Sequence, residues 1–153
     1  MNKLIFFLLL NLIITNNSFA KNINIKEDLN LEFNCLLEKK IIKNSEYNYK
    51  MFLADELNEK NLDSFKIYSS QPNTLMVNGL SDFFSQNSNY EVKIVNNDVV
   101  LFKAFNNDKT YSESAIITRK TGELIHEITS NIKSENSEKN ISIYYCKNKT
   151  KNA

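Results

Sequence analysis

Alternation of apolar and polar residues is the feature that most constrains the fold of this chain. Residues 29–35 alternate strictly, and the same period of two returns in residues 90–94 and 141–145. A period of two places one set of side chains on a single face of a β-strand. Asn, Asp and Gly residues, which favour turns, separate the runs. The pattern predicts an all-β domain, either an antiparallel sandwich or a small barrel-like meander, with a short helix within residues 50–60 as the alternative to a strand there.

The C-terminal half gives the clearest order of strands. Residues 90–130 predict a meander of four antiparallel strands, because turn residues recur at Asn96–Asp98 and Asn106–Lys109. Its last hairpin spans Ala115–Ile128 and turns at Gly122, one of only two glycines in the chain. Glycine accepts a positive φ without steric cost, so Gly122 is the predicted structural turn residue.

The N-terminus predicts export. Met1–Lys3 is a short basic start, Leu4–Ile14 is an apolar run, and Ser18–Ala20 supplies the small residues of a cleavage site. The run is shorter than the roughly 20 apolar residues of a membrane span. We therefore expect a signal peptide over residues 1–20, a flexible lead-in over 21–28, a single β domain over 29–147 and a disordered tail over 148–153. The expected location is the periplasm or the medium, with no stable membrane span after cleavage.

Two cysteines in an exported chain predict a disulfide bond, because exported compartments are oxidising. Cys35 lies near the start of the predicted domain and Cys146 near its end. A Cys35–Cys146 bond would therefore join the first strand to the last. No Cys-x-x-Cys spacing suggests a redox pair instead.

Charge and composition argue against several classes of function. Removal of residues 1–20 takes Lys3 from a total of 19 basic residues, so 18 basic and 18 acidic residues remain. Nucleic-acid binding requires a basic excess on one face, so no nucleic acid is expected as a partner. With a single His and both cysteines bonded, we expect no metal site, no cofactor and no assembled catalytic set.

The only His and the only Arg lie in the hairpin that turns at Gly122. His126 shares a face with apolar residues, and we interpret it as a buried, hydrogen-bonded side chain; a hydrolase that uses His126 is the third functional alternative. Arg119 and Lys120 lie at the tip of the hairpin. They form a small basic knob that could contact an acidic partner, so they are the candidate interaction tip.

The hairpin also carries a resemblance. Its Arg-x-Thr-Gly-Glu-Leu segment, residues 119–124, together with Ile117 before it and Cys146 after it, resembles the end of a loose group of small exported proteobacterial β-proteins of unknown function. In that group a Gly-x-Cys or similar follows, whereas this chain has Tyr144 and Tyr145 before the cysteine. The resemblance covers about a third of the mature chain. It implies a β fold and an envelope location, and it implies no catalytic residue.

These observations favour a non-enzymatic protein. The leading hypothesis is a periplasmic binding or interaction module that recognises an envelope protein or a small ligand through a strand edge or a loop face. The alternative is a lipocalin-like carrier of a small apolar ligand, since the chain has ten Phe and seven Tyr residues that could line a barrel. The sequence leaves open the partner, the oligomeric state and the choice between sandwich and barrel.

Overall fold

The structure is a computed structural model that describes residues 29–59, 61–71, 74–86 and 91–149. The predicted signal peptide and lead-in lie outside these residues, as do residues 150–153 of the predicted tail. The described residues form nine strands and one short α-helix: β1 (Asn30–Lys43), β2 (Lys50–Leu53), β3 (Leu62–Gln71), β4 (Thr74–Asn78), α1 (Asp82–Gln86), β5 (Glu91–Val95), β6 (Val99–Phe105), β7 (Ser112–Thr118), β8 (Glu123–Ser130) and β9 (Glu138–Asn148).

All strands pair antiparallel in a single sheet. Its order is β4-β3-β1-β9-β8-β7-β6-β5, and β2 pairs with the C-terminal half of β1. The sheet curls into a half-barrel, so the predicted all-β antiparallel fold is confirmed in its barrel-like form. The predicted four-strand meander is confirmed as β5 to β8, whose neighbours in sequence are neighbours in the sheet.

One face of the curled sheet, which we call the inner face, carries the core. Alternation along the strands sends the buried apolar residues to this face. Aromatic rings pack within this face: Phe33 on β1 stacks on Phe65 of the neighbouring β3, and Phe84 on α1 meets Phe102 on β6 edge to face at 5.0 Å between centroids. The buried apolar residues of the core are Leu31, Phe33, Cys35, Leu37, Phe65, Ile67, Leu75, Val77, Leu80, Phe84, Val100, Phe102, Ala104, Ala115, Ile117, Leu124, Tyr144 and Cys146.

The helix α1 was not predicted. It spans five residues in a segment that is polar and turn-rich apart from Leu80, Phe83 and Phe84. Phe84 is fully buried. The Ser81 hydroxyl oxygen accepts the Phe84 N–H at 3.1 Å, which starts the helix in the manner of an N-cap. A helix of this length has too few residues to show a 3.6-residue period in the sequence.

The short helix considered within residues 50–60 is replaced by β2 followed by a 3-10 turn over Ala54–Glu56. At the other end of the chain, β9 extends to Asn148, and the Lys149 N–H donates to the Glu32 carbonyl at 2.8 Å. The strand therefore includes the first residue that we assigned to the tail. None of the helices in the described ranges has the length and apolar character to cross a membrane.

Candidate functional site

The predicted disulfide is confirmed. Cys35 and Cys146 are bonded, and they lie directly opposite each other in the pairing of β1 with β9. The Cys146 N–H donates to the Gly122 carbonyl at 2.7 Å, on the side of β9 that faces away from β1. The pair with Cys35 therefore occupies a non-hydrogen-bonded site, where opposite side chains are closest. The bond joins two neighbouring interior strands of the sheet, β1 and β9, on its inner face.

The turn at Gly122 packs against the same position of β9. Gly122 has φ +79° and its N–H donates to the Thr118 carbonyl at 2.8 Å. A Cβ atom at Gly122 would overlap the carbonyl oxygen of Cys146 and lie 3.6 Å from the Tyr145 ring. Any other residue would therefore combine an unfavourable φ with a backbone clash.

The two residues of the candidate interaction tip, Arg119 and Lys120, have different surroundings. The Arg119 N–H donates to the Asp98 carbonyl at 2.7 Å, and its guanidinium donates to the Asn96 carbonyl at 3.2 Å. These bonds attach the tip to the turn between β5 and β6. Lys120 is exposed. The role of the tip in binding stays a prediction. The hydrogen bonds of Arg119 also show that this residue helps to hold the hairpin in place.

The inner face contains a buried carboxylate. Glu113 on β7 is 1% exposed, and its oxygens accept hydrogen bonds from His126 Nε2 at 2.8 Å, Ser81 Oγ at 2.7 Å and Tyr111 Oη at 2.5 Å. A carboxylate only accepts hydrogen bonds, so Nε2 of His126 carries the hydrogen. The four residues come from β7, β8, the start of α1 and the loop before β7. We call them the inner polar cluster.

Burial and hydrogen bonding act in opposite directions on the pKa of Glu113. Burial alone would raise the pKa of the Glu113 carboxyl, but the hydrogen bonds from His126, Ser81 and Tyr111 lower it below its ordinary value. Burial and the bond to Glu113 both raise the pKa of the Tyr111 phenol. The Glu113 carboxylate is therefore surrounded by hydrogen-bond donors between α1 and the sheet.

The geometry of the cluster is that of a structural network. In a Ser-His-acid triad the His stands between the nucleophile and the carboxylate, whereas here the carboxylate stands between Ser81 and His126. Within the described ranges no Ser, Thr or Cys side chain is hydrogen-bonded to the imidazole. His126 is 4% exposed, and the Phe84 ring lies 6.0 Å from it between centroids. The cluster links α1 to the sheet, and its carboxylate and imidazole are both buried.

Sequence reasoning identified His126 but missed its partner. Glu113 shares a strand face with Ala115, and Ala115 lies opposite His126 in the hairpin. The hairpin register alone therefore places Glu113 diagonally across from His126, within reach of a long side chain. Ser81 lies 32 residues before Glu113, and no local pattern connects the two.

The outer face carries the strongest candidate for an interaction surface. Leu36, Met51, Leu53 and Tyr145 are 54%, 55%, 49% and 44% exposed, respectively, and we call them the outer apolar patch. Leu36 lies opposite Tyr145, while Met51 and Leu53 lie on β2, on the other side of β1 from β9. Tyr49, just before β2, is also exposed. Among the side chains whose burial the structure describes, these five are the exposed large hydrophobic ones, and they lie on β1, β2 and β9 or directly before β2.

Half-buried aliphatic residues fill the spaces within the patch. Met51 lies opposite Ile41, and Ile41 lies opposite Ile141 on β9. The next row joins Leu53 through Lys39 to Ile143. Opposite residues in antiparallel strands point to the same face, so these side chains form one surface across three strands. Contiguous exposed apolar surface of this kind marks interaction sites in soluble proteins.

Comparison with known proteins does not assign a family or a function to these sites. The chain matches no family model, no curated protein and no solved structure. Its resemblance to the exported group therefore stays a prediction. Among the residues that the structure describes, no group of three or more His, Cys, Asp or Glu side chains is arranged to hold a metal ion.

Proposed function

We propose that this protein is an exported, non-enzymatic interaction module that binds a partner protein of the envelope through the outer apolar patch. The main support for the proposal is that exposed Leu, Met and Tyr side chains are concentrated at one corner of the sheet. Tyr and Met are enriched at the cores of protein interfaces, where they supply large contact area. The predicted signal peptide supports the location.

The rigidity of the patch supports the same function. The disulfide lies on the inner face directly behind Leu36 and Tyr145, since Cys35 precedes Leu36 and Tyr145 precedes Cys146. The Tyr145 ring also lies near Gly122. A surface held in this way loses little conformational entropy when a partner binds.

No observation favours the two alternatives. A carrier requires an interior cavity, but Phe33, Phe65, Phe84 and Phe102 fill the inner face of the half-barrel and are almost completely buried. A hydrolase requires an accessible imidazole with a nucleophile, and His126 lies beneath α1 with Glu113 as its partner.

A photo-crosslinking side chain placed at position 145 tests the proposal in cells that export the protein. The matched control places the same side chain at Asn107, an exposed residue in the loop between β6 and β7. We expect a covalent adduct with another envelope protein from position 145 and none from position 107. The adduct should be lost when Leu36→Lys is added and kept when Asn34→Lys is added, since Asn34 is exposed two residues earlier on β1.

Three results would contradict the proposal. The first is no adduct from position 145, and the second is the same set of adducts from both positions. The third is an adduct that contains only a second copy of this chain, because the proposal requires a different partner protein.

A further inference from the structure

Lys39 lies at the centre of the outer apolar patch. It is opposite Leu53 on β2 and opposite Ile143 on β9, which places it in the middle of one row across three strands. The row on one side of it pairs Leu36 with Tyr145, and the row on the other side consists of apolar residues from the same three strands. Apolar side chains therefore flank Lys39 within its own row and in both adjacent rows.

A β-bulge turns Lys39 toward this surface. The register of β1 against β9 shifts between Leu37 and Lys39, so Glu38 is an extra residue without an opposite position on β9. With unbroken alternation from Leu36, Glu38 would face outward and Lys39 would face inward. The extra residue instead places Lys39 opposite Ile143, on the outer face. Bulges that redirect a side chain in this way are frequent next to functional sites.

The Lys39 ammonium has no acceptor among the described residues, whereas two other lysines on the outer face of β1 and β9 do. Lys139 pairs with Glu127 at 3.0 Å, and Lys43 donates to a serine hydroxyl at 3.3 Å. Lys147 is exposed at the rim of the patch, where water can solvate it. Lys39 differs from all of these, because it is only partly exposed and lies inside the patch.

An unpaired ammonium inside an apolar contact restricts the chemistry of the partner. A partner that covered Leu36 and Tyr145 with apolar groups alone would remove water from Lys39 without replacing its hydrogen bonds, which is unfavourable. A carboxylate offsets this cost, since it supplies both the opposite charge and the acceptors. From this we infer that the partner presents an acidic side chain to Lys39, flanked by apolar side chains that contact the rest of the patch. The inference rests on the proposed function and specifies the chemistry of its partner.

The charges around Lys39 favour a protein segment over an anionic membrane surface. Attraction to anionic lipids requires a cluster of several basic residues. Here Glu38 is exposed next to Lys39, and Glu123 lies opposite Tyr145 in the adjacent row. A broad surface of lipid phosphates would meet both of these acids, whereas one carboxylate placed at Lys39 avoids them. The site therefore fits a single acid in a defined position.

Substitutions at Lys39 test the inference through the photo-adduct from position 145, at low expression, where the yield of adduct follows the affinity. Lys39→Met removes the charge and keeps an unbranched apolar stem, and we expect it to lower the yield about tenfold or more. Lys39→Glu should abolish the adduct by repulsion, and Lys39→Arg should keep it. Lys103→Met is the matched control, because Lys103 is on the outer face of β6, outside the patch, with its ammonium 4.6 Å from the Phe105 ring. It should change the yield by less than about threefold.

The outcomes separate the inference from the proposed function. Thermal unfolding of each variant checks that a lost adduct does not reflect a lost fold, and Lys39→Arg shows whether the charge alone is needed. Equal yields from the wild type and Lys39→Met would overturn the inference and leave the proposed function standing, since apolar contact would then suffice. Equal losses from Lys39→Met and Lys103→Met would also overturn it, because only net charge would matter. No protein adduct from the wild type, or an adduct with lipid alone, would contradict both.

Discussion

Cys35 and Leu36 are neighbours on β1, and Cys146 and Tyr145 are neighbours on β9, yet the two pairs lie on opposite faces of the sheet. The inner pair is covalently bonded and buried, whereas the outer pair is about half exposed. A sheet with one buried face usually has apolar side chains on that face and polar side chains on the exposed face, and each face here has an exception. The inner face contains the Glu113 carboxylate, and the outer face presents Leu, Met and Tyr to solvent.

The two departures have different physical meanings. The Glu113 carboxylate has three donors, so the cost of burying its charge is offset within the chain itself. Leu36 and Tyr145 lie opposite each other in the pairing of β1 with β9, and about half of each residue's surface is exposed. A satisfied buried charge belongs to folding, whereas an uncovered apolar patch is evidence for a partner. The two faces should therefore respond differently to mutation.

Removing the Cys35–Cys146 bond should reduce the stability of the protein more than any other change predicted here. Replacing Cys35 and Cys146 together with Ala should lower the free energy of unfolding by about 4.7 kcal/mol, the chain-entropy value for a loop of this size. Chemical denaturation of the double variant and the wild type measures the difference. Reductant should destabilise the wild type and leave the double variant unchanged, which separates the bond from other effects of the reagent. A wild-type curve that reductant does not move would contradict a stabilising bond.

A substitution at Gly122 should give the next largest loss of stability. The Gly122 turn packs against the backbone of Cys146 and the ring of Tyr145. Gly122→Val forces a β-branched residue into a positive φ and pushes its Cβ into the Cys146 carbonyl. We expect a loss of about 3 kcal/mol from strain and overlap together. Thr121→Val places the same side chain at the exposed preceding position and should change stability by less than about 0.5 kcal/mol. Equal melting temperatures for the two variants would contradict this account of the turn.

Much of this arrangement follows from the sequence, and the exceptions have physical causes. Alternation predicted β1, β9 and the meander, because a buried face enforces a period of two. It did not predict that β1 would continue to Lys43, since its last residues are mixed and a bulge between Leu37 and Lys39 shifts the alternation. It also gave no sign of α1, which is too short to show a helical period.

The candidate sites were predictable to different degrees. Compartment and spacing predicted the disulfide, and the glycine indicated the turn. The inner polar cluster depends on contacts between α1 and β7, which no local pattern reports. The outer apolar patch depends on which residues lie beside one another across three strands. Leu36 and Tyr145 are 109 positions apart in the chain, and only the pairing of β1 with β9 shows that they are opposite.

The third prediction concerns the contribution of the buried Glu113 carboxylate to stability. Glu113→Gln keeps the shape of the side chain but removes the charge that three donors stabilise, so we expect a loss of about 2 kcal/mol at neutral pH. Glu127→Gln is the matched control, because Glu127 is on the neighbouring strand β8 in a partly exposed pair with Lys139 at 3.0 Å. The control should cost at most about 1 kcal/mol. Equal costs for the two substitutions would mean that the cluster has no special role in folding.

The pH dependence of that difference checks its electrostatic origin. The pKa of Glu113 is lower in the folded protein than its ordinary value of 4.5, so the folded state favours the carboxylate. Its contribution to stability is therefore present above pH 4.5 and is lost as the pH falls through the folded-state pKa. The gap between wild type and Glu113→Gln, measured by denaturation at a series of pH values, should narrow below pH 4.5. A gap that stays constant in acid would assign the cost to packing.

The outer pair should give the smallest effect on stability and the largest effect on binding. Leu36→Lys removes an exposed cross-strand contact with Tyr145, and we expect it to cost less than about 1 kcal/mol. Leu37→Lys, at the next position on β1 but on the inner face, should destabilise the protein severely, since Leu37 is 7% exposed. Denaturation of both variants measures the contrast between the faces. If Leu36→Lys cost as much as Leu37→Lys, the outer side chains would be needed for folding, and the adduct from position 145 could no longer separate recognition from stability.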